Sequence, residues 1–137
     1  MPFILPQDAT AYRLYYVTGS TVTGSADVDM GIYAANKSRI VSSGIVAFPT
    51  GTASSMITVD IANTALTADT LYYLAIAVSS IAGTCNFLRF NAGTRGAFEQ
   101  GLLSETGLTT LPGTATWALG AGSTIAYCGL ILRSEIT

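Results

Sequence analysis

Apolar and polar residues alternate along two separate stretches of this chain, and this alternation constrains the fold more than any other feature. In residues 27–32, "DVDMGI", every second residue is apolar: Val28, Met30 and Ile32. In residues 55–62, "SMITVDIA", one side again carries the larger apolar residues: Ile57, Val59 and Ile61. A period of two places alternate side chains on opposite faces of a strand. The pattern therefore predicts strands with one buried face and one solvent-facing face.

Further apolar runs extend the pattern along the chain. We predict a hairpin at residues 27–48 and strands at residues 11–17, 55–62, 71–78, 84–90, 114–119 and 123–133. The run at 71–78 is apolar on both sides, which is typical of a central strand. Residues 18–26 and 63–70 are predicted as connections, and residues 91–113 as a long loop. About eight short strands and no helical periodicity predict an all-β fold: a single antiparallel β-sandwich, jelly-roll-like.

Residues 1–10 are predicted to form an extended N-terminal arm that precedes a β-sandwich domain at residues 11–137. Pro2 and Pro6 fix their own φ angles and restrict the residues before them. Between them lie Phe3, Ile4 and Leu5, which would be an exposed apolar cluster on a lone monomer. We therefore expect these three residues to bind a partner. A frayed terminus is the alternative.

The apolar character of the chain indicates burial between subunits. Half of the 137 residues are apolar and a tenth are charged, whereas about a quarter of an average soluble domain is charged. Mean hydropathy is +0.49. The most apolar run, residues 71–83, is shorter than the roughly 18–20 residues of a membrane-spanning helix, and we expect no signal peptide. Because obligate interfaces resemble a domain core, we expect a homo-oligomer and no membrane partner.

Composition argues against several functional classes. The chain has no histidine, which removes Ser-His-Asp triads, Cys-His dyads and histidine metal sites. The six basic residues are scattered and the net charge is −2, so we expect no nucleic-acid partner. The sequence has no nucleophile elbow, phosphate loop or cysteine cluster. We therefore predict a protein that is not an enzyme, with no catalytic residues, no metal and no cofactor.

Cys85 and Cys128 each lie in an apolar, strand-like run. A disulfide between them is an alternative that spacing cannot decide. Two buried free thiols are the expected state, because no export signal precedes them.

Asp27 and Asp29 are the one pair of carboxylates that suggests a site. On a strand they point to the same side, about 6.5–7 Å apart. Calcium requires six to eight oxygen ligands, and the next residues on that side, Gly31 and Tyr33, are poor ligands. We therefore predict that both aspartates lie on the solvent-facing side of the strand. A hydrolase that uses them as an acid–base pair is the least favoured alternative.

The loop at residues 91–113 and the strand after it carry the candidate ligand-binding residues. These are Arg95, Phe98, Glu99, Gln100 and Trp117. Aromatic, amide and charged side chains of this kind form sugar-binding surfaces on lectin-like sandwiches. The alternative, which we favour, is a loop that orders against a neighbouring subunit.

Three stretches together resemble a known family. They are "ADVDMGIYAANKSRIVSSG" (26–44), "VDIANTALTADTLYYLAIAVSS" (59–80) and "LPGTATWAL" (111–119). They are similar to a hairpin of the form D-V-G-I-Y-D-x-x-G-x-x-L/I-V-x-x-G, a turn and strand of the form L-x-P-G-x-Y-Y-L-A-L-A and a segment of the form L-P-x-T-A-T-F in small β-sandwich domains of tailed-bacteriophage virion proteins. Residues 67–70, "TADT", replace the Pro-Gly turn of that pattern, and Met30 precedes the glycine of "GIY".

The resemblance implies a non-enzymatic virion structural protein, assembled in the cytoplasm of a bacterial host. A fibre protein needs an anchoring segment, whereas one short domain with an apolar arm suits a capsid decoration, or cement, protein that stabilises the assembled shell. We expect a homo-oligomer, with a trimer favoured, bound to the major capsid protein or another virion protein. The alternative is a receptor- or carbohydrate-binding module of a tail fibre or tail tip, with a host glycan as ligand.

Overall fold

A computed structural model of the chain describes residues 1–91, 103–104, 107–119 and 124–134. Within these ranges the fold is all-β, as predicted. The strands, numbered in chain order, are β1 (Pro2–Ile4), β2 (Ala9–Val22), β3 (Ser25–Ala34), β4 (Arg39–Ser42), β5 (Val46–Ala47), β6 (Met56–Leu66), β7 (Leu71–Ala82), β8 (Cys85–Phe87), β9 (Arg89–Asn91), β10 (Leu103–Ser104), β11 (Ala118–Leu119), β12 (Thr124–Ala126) and β13 (Cys128–Ser134).

Nine of these strands form two antiparallel sheets that pack face to face as a β-sandwich. The first sheet has the order β1-β7-β3, and both β4 and β5 pair with the far side of β3. The second sheet has the order β13-β2-β6, and β8 pairs with the end of β2. The short strands form two further ladders, β9 with β12 and β10 with β11. The prediction of an antiparallel sandwich is confirmed.

The core lies between the two sheets and follows the predicted alternation. Val28, Met30 and Ile32 of β3 are at most 1% exposed, and the inward residues of β2, Leu14 and Tyr16, are equally buried. Each such side chain contributes roughly 1.5–3 kcal/mol when it leaves water. At one end of the core the rings of Tyr16, Phe48 and Phe87 pack together with centroids 5.3–5.6 Å apart.

The connection predicted at residues 18–26 is mostly strand. β2 continues to Val22 and β3 begins at Ser25. The buried Thr18 is accommodated because its hydroxyl donates to the Thr52 carbonyl and accepts the Ser55 N–H. Gly24 fits the tight turn because a Cβ there would collide with the carbonyl of Ala82. The abundance of threonine, serine and glycine in this stretch therefore predicted a turn. The stretch can be a strand instead because the buried hydroxyl of Thr18 has hydrogen-bond partners.

Two other predicted boundaries also shift. β6 extends to Leu66, so the connection to β7 is only residues 67–70, with Asp69 at φ 54°. The strand predicted at residues 114–119 is reduced to β11 at its end and one isolated bridge between Ser38 and Thr114. The remainder of that stretch crosses the outside of the first sheet. The candidate site lies where this segment contacts the first sheet.

Candidate functional site

Residues 107–117, which we call the strap, lie against the outer face of the first sheet. This face contains Asp29, Gly31 and Tyr33, the residues that alternation assigned to solvent. Asp29 is 1% exposed and Tyr33 is fully buried. The prediction of a solvent-facing side is therefore wrong for these residues, because the strap adds a second, smaller core over it. That core contains Ala77 of β7 and Leu111 and Ala115 of the strap.

Asp29 holds the strap through its carboxyl group. One oxygen accepts a hydrogen bond from the Ser42 hydroxyl at 2.7 Å. The other accepts the Thr110 hydroxyl at 2.6 Å and the Leu111 N–H at 2.9 Å. Buried carboxyl groups require such partners because desolvation without them is costly. These donors occupy Asp29, so its geometry indicates a structural anchor for the strap.

Gly31 and Tyr33 fix the position of the strap next to Asp29. The Leu111 side chain packs onto the bare backbone of Gly31, where a Cβ would lie 2.8 Å from Leu111 Cδ1 and 2.6 Å from the Val41 carbonyl. The Tyr33 hydroxyl donates to the Pro112 carbonyl at 2.6 Å. A glycine and a tyrosine on a face predicted to be polar were the signal that another segment covers it.

The tip of the β3–β4 hairpin binds the main chain of the strap. Lys37 Nζ donates to the Trp117 carbonyl at 3.1 Å, and the Lys37 carbonyl accepts the Ala115 N–H at 3.0 Å. The Arg39 guanidinium donates to the Leu111 carbonyl, and its backbone N–H donates to the Gly113 carbonyl. The site therefore has the chemistry of a peptide-holding groove that the chain fills with its own strap.

Trp117 ends the strap and packs into an aromatic cluster. Its ring contacts Tyr33 edge-on at 4.8 Å between centroids and lies 5.5 Å from Tyr73. Trp117 Nε1 is buried and has no hydrogen-bond partner among the described residues. The structure thus places this candidate ligand-binding residue within a packed cluster. The other candidates, Arg95, Phe98, Glu99 and Gln100, lie outside the described residues.

The predicted arm is built into the sandwich. Residues 2–4 form edge strand β1, paired with β7, and the Asp69 N–H donates to the Leu5 carbonyl at 2.9 Å. Phe3 stacks on Tyr72 at 5.6 Å, and Phe3 and Leu5 both pack against the main core. Ile4 points away and is 59% exposed. Of the three residues expected to bind a partner, Ile4 is the one presented to solvent.

Most of the exposed apolar surface is not apparent from the sequence pattern. Among the residues that the structure describes, eight large apolar side chains are exposed: Ile4, Ile40, Ile45, Met56, Ile81, Leu88, Tyr127 and Leu132. One available signal was Met56, which alternates onto the same face of β6 as Thr58 and Asp60. A large apolar residue on a polar face indicates a contact surface where it belongs to a larger exposed apolar patch.

The described residues offer few groups that could bind a metal ion. They contain no group of three histidine, cysteine, aspartate or glutamate side chains that could hold a metal ion. In the same residues, no helix is long and apolar enough to cross a membrane. Cys85 and Cys128 are free, half-buried thiols, and burial raises the pKa of Cys128.

Comparison of the chain with protein-family models, with curated proteins and with solved structures finds no match. We therefore infer function from the surfaces described above and from the sequence resemblance.

Proposed function

We propose that this chain is a non-enzymatic structural protein of a tailed-bacteriophage virion, and that it decorates and stabilises the capsid shell. The observation that carries the proposal is the convergence of the resembling stretches. Gly31 and Tyr33 of the first stretch contact Leu111 and Pro112 of the third. Tyr73 of the second stretch packs on Trp117. Residues shared with a phage pattern thus form one structural unit.

The apolar surface supports a role in assembly. Edge strand β1 has its ladder partner on one side, at β7, within the described residues. It presents Ile4 to solvent, while Phe3 and Leu5 hold it on the core. We propose that this edge contacts the major capsid protein or another virion protein. Weak contacts of this kind are sufficient in a decorated shell, because many neighbouring sites reinforce one another.

The copy number of the chain in purified phage particles tests the proposal. Quantitative mass spectrometry against the major capsid protein measures it directly. A ratio comparable to that of the capsid protein is expected. A few copies per particle would move the protein to the tail or fibre, and absence from particles would overturn the virion assignment.

Ile4→Asp tests the edge contact. Deletion of residues 2–7 would remove β1 and uncover Tyr72. A loss of binding could then result from misfolding as well as from the lost contact. Ile4→Asp alters an exposed side chain and leaves Phe3 and Leu5 in place. We expect it to weaken binding to undecorated shells at least about tenfold, since burying an unpaired charge at an interface is costly. The matched control is Ile81→Asp, at a residue that is 62% exposed. If both variants bind undecorated shells equally well, the β1 edge is not the contact surface.

The alternative is a receptor- or carbohydrate-binding module of a tail fibre or tip. It has less support, because the ring of Trp117 packs against Tyr33 and Tyr73 rather than standing free as a sugar platform. A screen of the intact protein against bacterial surface glycans tests this alternative. Glycan binding that Phe98→Ala abolishes, together with a low copy number in particles, would make it the preferred function.

A further inference from the structure

A continuous apolar patch lies on the outer face of the second sheet. Val17 of β2 is its centre and is opposite Met56 of β6 in the ladder. On the other side, the Val17 N–H donates to the Tyr127 carbonyl at 3.0 Å, and the Val17 carbonyl accepts the Leu88 N–H at 2.8 Å. Met56, Tyr127 and Leu88 are 60%, 49% and 46% exposed. We call these four residues the Val17 patch.

Tyr15 extends this apolar surface along β2. Its ring lies over the bare backbone of Gly129 on β13, where a Cβ would lie 2.6 Å from the Tyr15 hydroxyl. The neighbouring positions on the same face then become charged. A large apolar centre with tyrosine and methionine and a charged border is the composition of a protein–protein interface.

The charged border carries both signs. Arg13 Nε donates to Asp60 Oδ1 at 2.6 Å, and the two side chains are 47% and 80% exposed. The Arg133 guanidinium lies 4.6 Å from the ring centroid of Tyr12 on the same border. Arginine has five N–H donors and an ionised carboxylate about four acceptor positions. Both members of the Arg13–Asp60 pair can therefore bind a second partner across an interface.

We propose that this face binds a second copy of the chain, related by a two-fold axis parallel to the strands between β2 and β6. In the ladder, Arg13 is opposite Asp60 and Val17 is opposite Met56. One axis between the two strands therefore places Arg13 of each copy over Asp60 of the other, and Val17 over Met56. Both the charges and the apolar centre are self-complementary in this arrangement, as an isologous interface requires.

The overlap that this axis produces is modest. It places β2 and β6 of one copy over β6 and β2 of the other along Ala9–Val17, which gives about 10 by 30 Å at about 4.8 Å between strands and about 3.3 Å per residue. Leu88 and Tyr127 lie on the other side of β2, at the margin of the overlap. The footprint is smaller than the roughly 800 Å² that each partner buries in a standard interface, so we expect a weak dimer. Two sheets can pack face to face with nearly aligned strands. A two-fold pair differs from the trimer predicted from the sequence, so stoichiometry distinguishes the two.

Sedimentation velocity of the purified chain over a concentration series tests the proposal. We expect a monomer–dimer equilibrium that Met56→Glu weakens at least about tenfold. Ile81→Glu is the matched control, because Ile81 is 62% exposed and lies at the end of β7 in the first sheet. A monomer at roughly 100 µM, where even a weak specific contact is populated, would overturn the proposal. So would a trimer, or any oligomer that Met56→Glu leaves intact.

Charge exchange tests the orientation of the pair. Arg13→Asp leaves two acidic residues at the border, and Asp60→Arg leaves two basic residues. Each variant alone would bring like charges together across the axis, so we expect each to be mainly monomeric. A one-to-one mixture would restore opposite charges at both contacts, and we expect it to form heterodimers. Failure of the mixture to associate, while both variants unfold like the natural chain, would overturn the two-fold arrangement.

Discussion

The Leu111 N–H donates to Asp29 Oδ2 at 2.9 Å, although the two residues are 82 positions apart in the sequence. This bond joins the strap to the middle of the first sheet. Because the strap covers it, the outer face of β3, which the sequence pattern predicts to be polar, becomes one side of a second core. The Asp29 carboxyl group, with donors on both of its oxygens, is therefore one of the main contacts that hold the strap.

Asp29→Ala is expected to lower the free energy of unfolding by about 2–4 kcal/mol, since it leaves the Leu111 N–H and two hydroxyls without their acceptor in a buried place. Asp29→Asn should cost less, because the amide oxygen can keep Thr110 and Leu111 while the amide nitrogen faces the Ser42 hydroxyl. Chemical denaturation followed by tryptophan fluorescence measures both, and Trp117 reports directly on the strap.

Asp27→Ala is the control for this prediction. Asp27 lies two residues earlier on the same face of β3 and is only half-buried. We expect it to change stability by less than about 0.5 kcal/mol. Equal losses from Asp27→Ala and Asp29→Ala would contradict an anchoring role for Asp29.

Gly31→Ala should lower the free energy of unfolding by about 1–3 kcal/mol, because the added methyl group overlaps both the Val41 carbonyl and the Leu111 side chain. Gly113→Ala offers a comparison within the strap itself, since a Cβ there meets nothing within 4 Å. It should be neutral or slightly stabilising, through a less flexible unfolded chain. Thermal unfolding of the two variants side by side measures the difference, and an equally tolerated alanine at both positions would show that Leu111 does not pack closely on Gly31.

The inward face of β3 could be predicted from the sequence because its cause is local. Val28, Met30 and Ile32 share one side of a strand wherever the rest of the chain lies, and burying that side is the main driving force. The same reasoning predicted Val59 of β6, which is 4% exposed. Period-two patterning therefore predicted which strands form and which of their faces is buried.

The outward face of β3 could not be predicted in the same way, because its environment comes from a distant segment. Alternation reports which side is more apolar but cannot report what covers the other side. Asp29 is compatible with burial only because Ser42, Thr110 and Leu111 supply donors, and that supply is visible only in three dimensions. The irregular composition of residues 107–113 predicted a loop and residues 114–117 were predicted as part of a strand, and nothing local indicates where either one docks.

Tyr16 should make the protein less stable between about pH 10 and 12. Burial raises its pKa to about 12, whereas an unfolded tyrosine titrates near 10. Below pH 10 the Tyr16 hydroxyl is protonated in both the folded and the unfolded state, so it does not change the free energy of unfolding. Between the two pKa values the unfolded state releases its proton while the folded state retains it, so unfolding becomes more favourable as the pH rises. The folded-to-unfolded ratio should fall about tenfold per pH unit in this window from this residue alone.

Tyr16→Phe isolates that contribution from other groups that titrate at high pH. It retains the ring packing against Phe48 and Phe87 and removes the hydroxyl. Urea midpoints measured from pH 9 to 12 should decline less steeply for the variant. Parallel curves for the two proteins would contradict the raised pKa.

The Cys128 thiol should react slowly in the folded protein. Burial raises its pKa, and the thiolate is the reactive form. In a Cys85→Ser variant, which leaves Cys128 as the only thiol, we expect modification by a disulfide reagent at pH 8 to be at least about tenfold slower than in the same variant unfolded in denaturant. The rate should rise as the pH increases, since a raised pKa leaves most of the thiol protonated at pH 8. Equal rates in the folded and unfolded protein would place Cys128 in solvent, against its packing beside the core residues of β2.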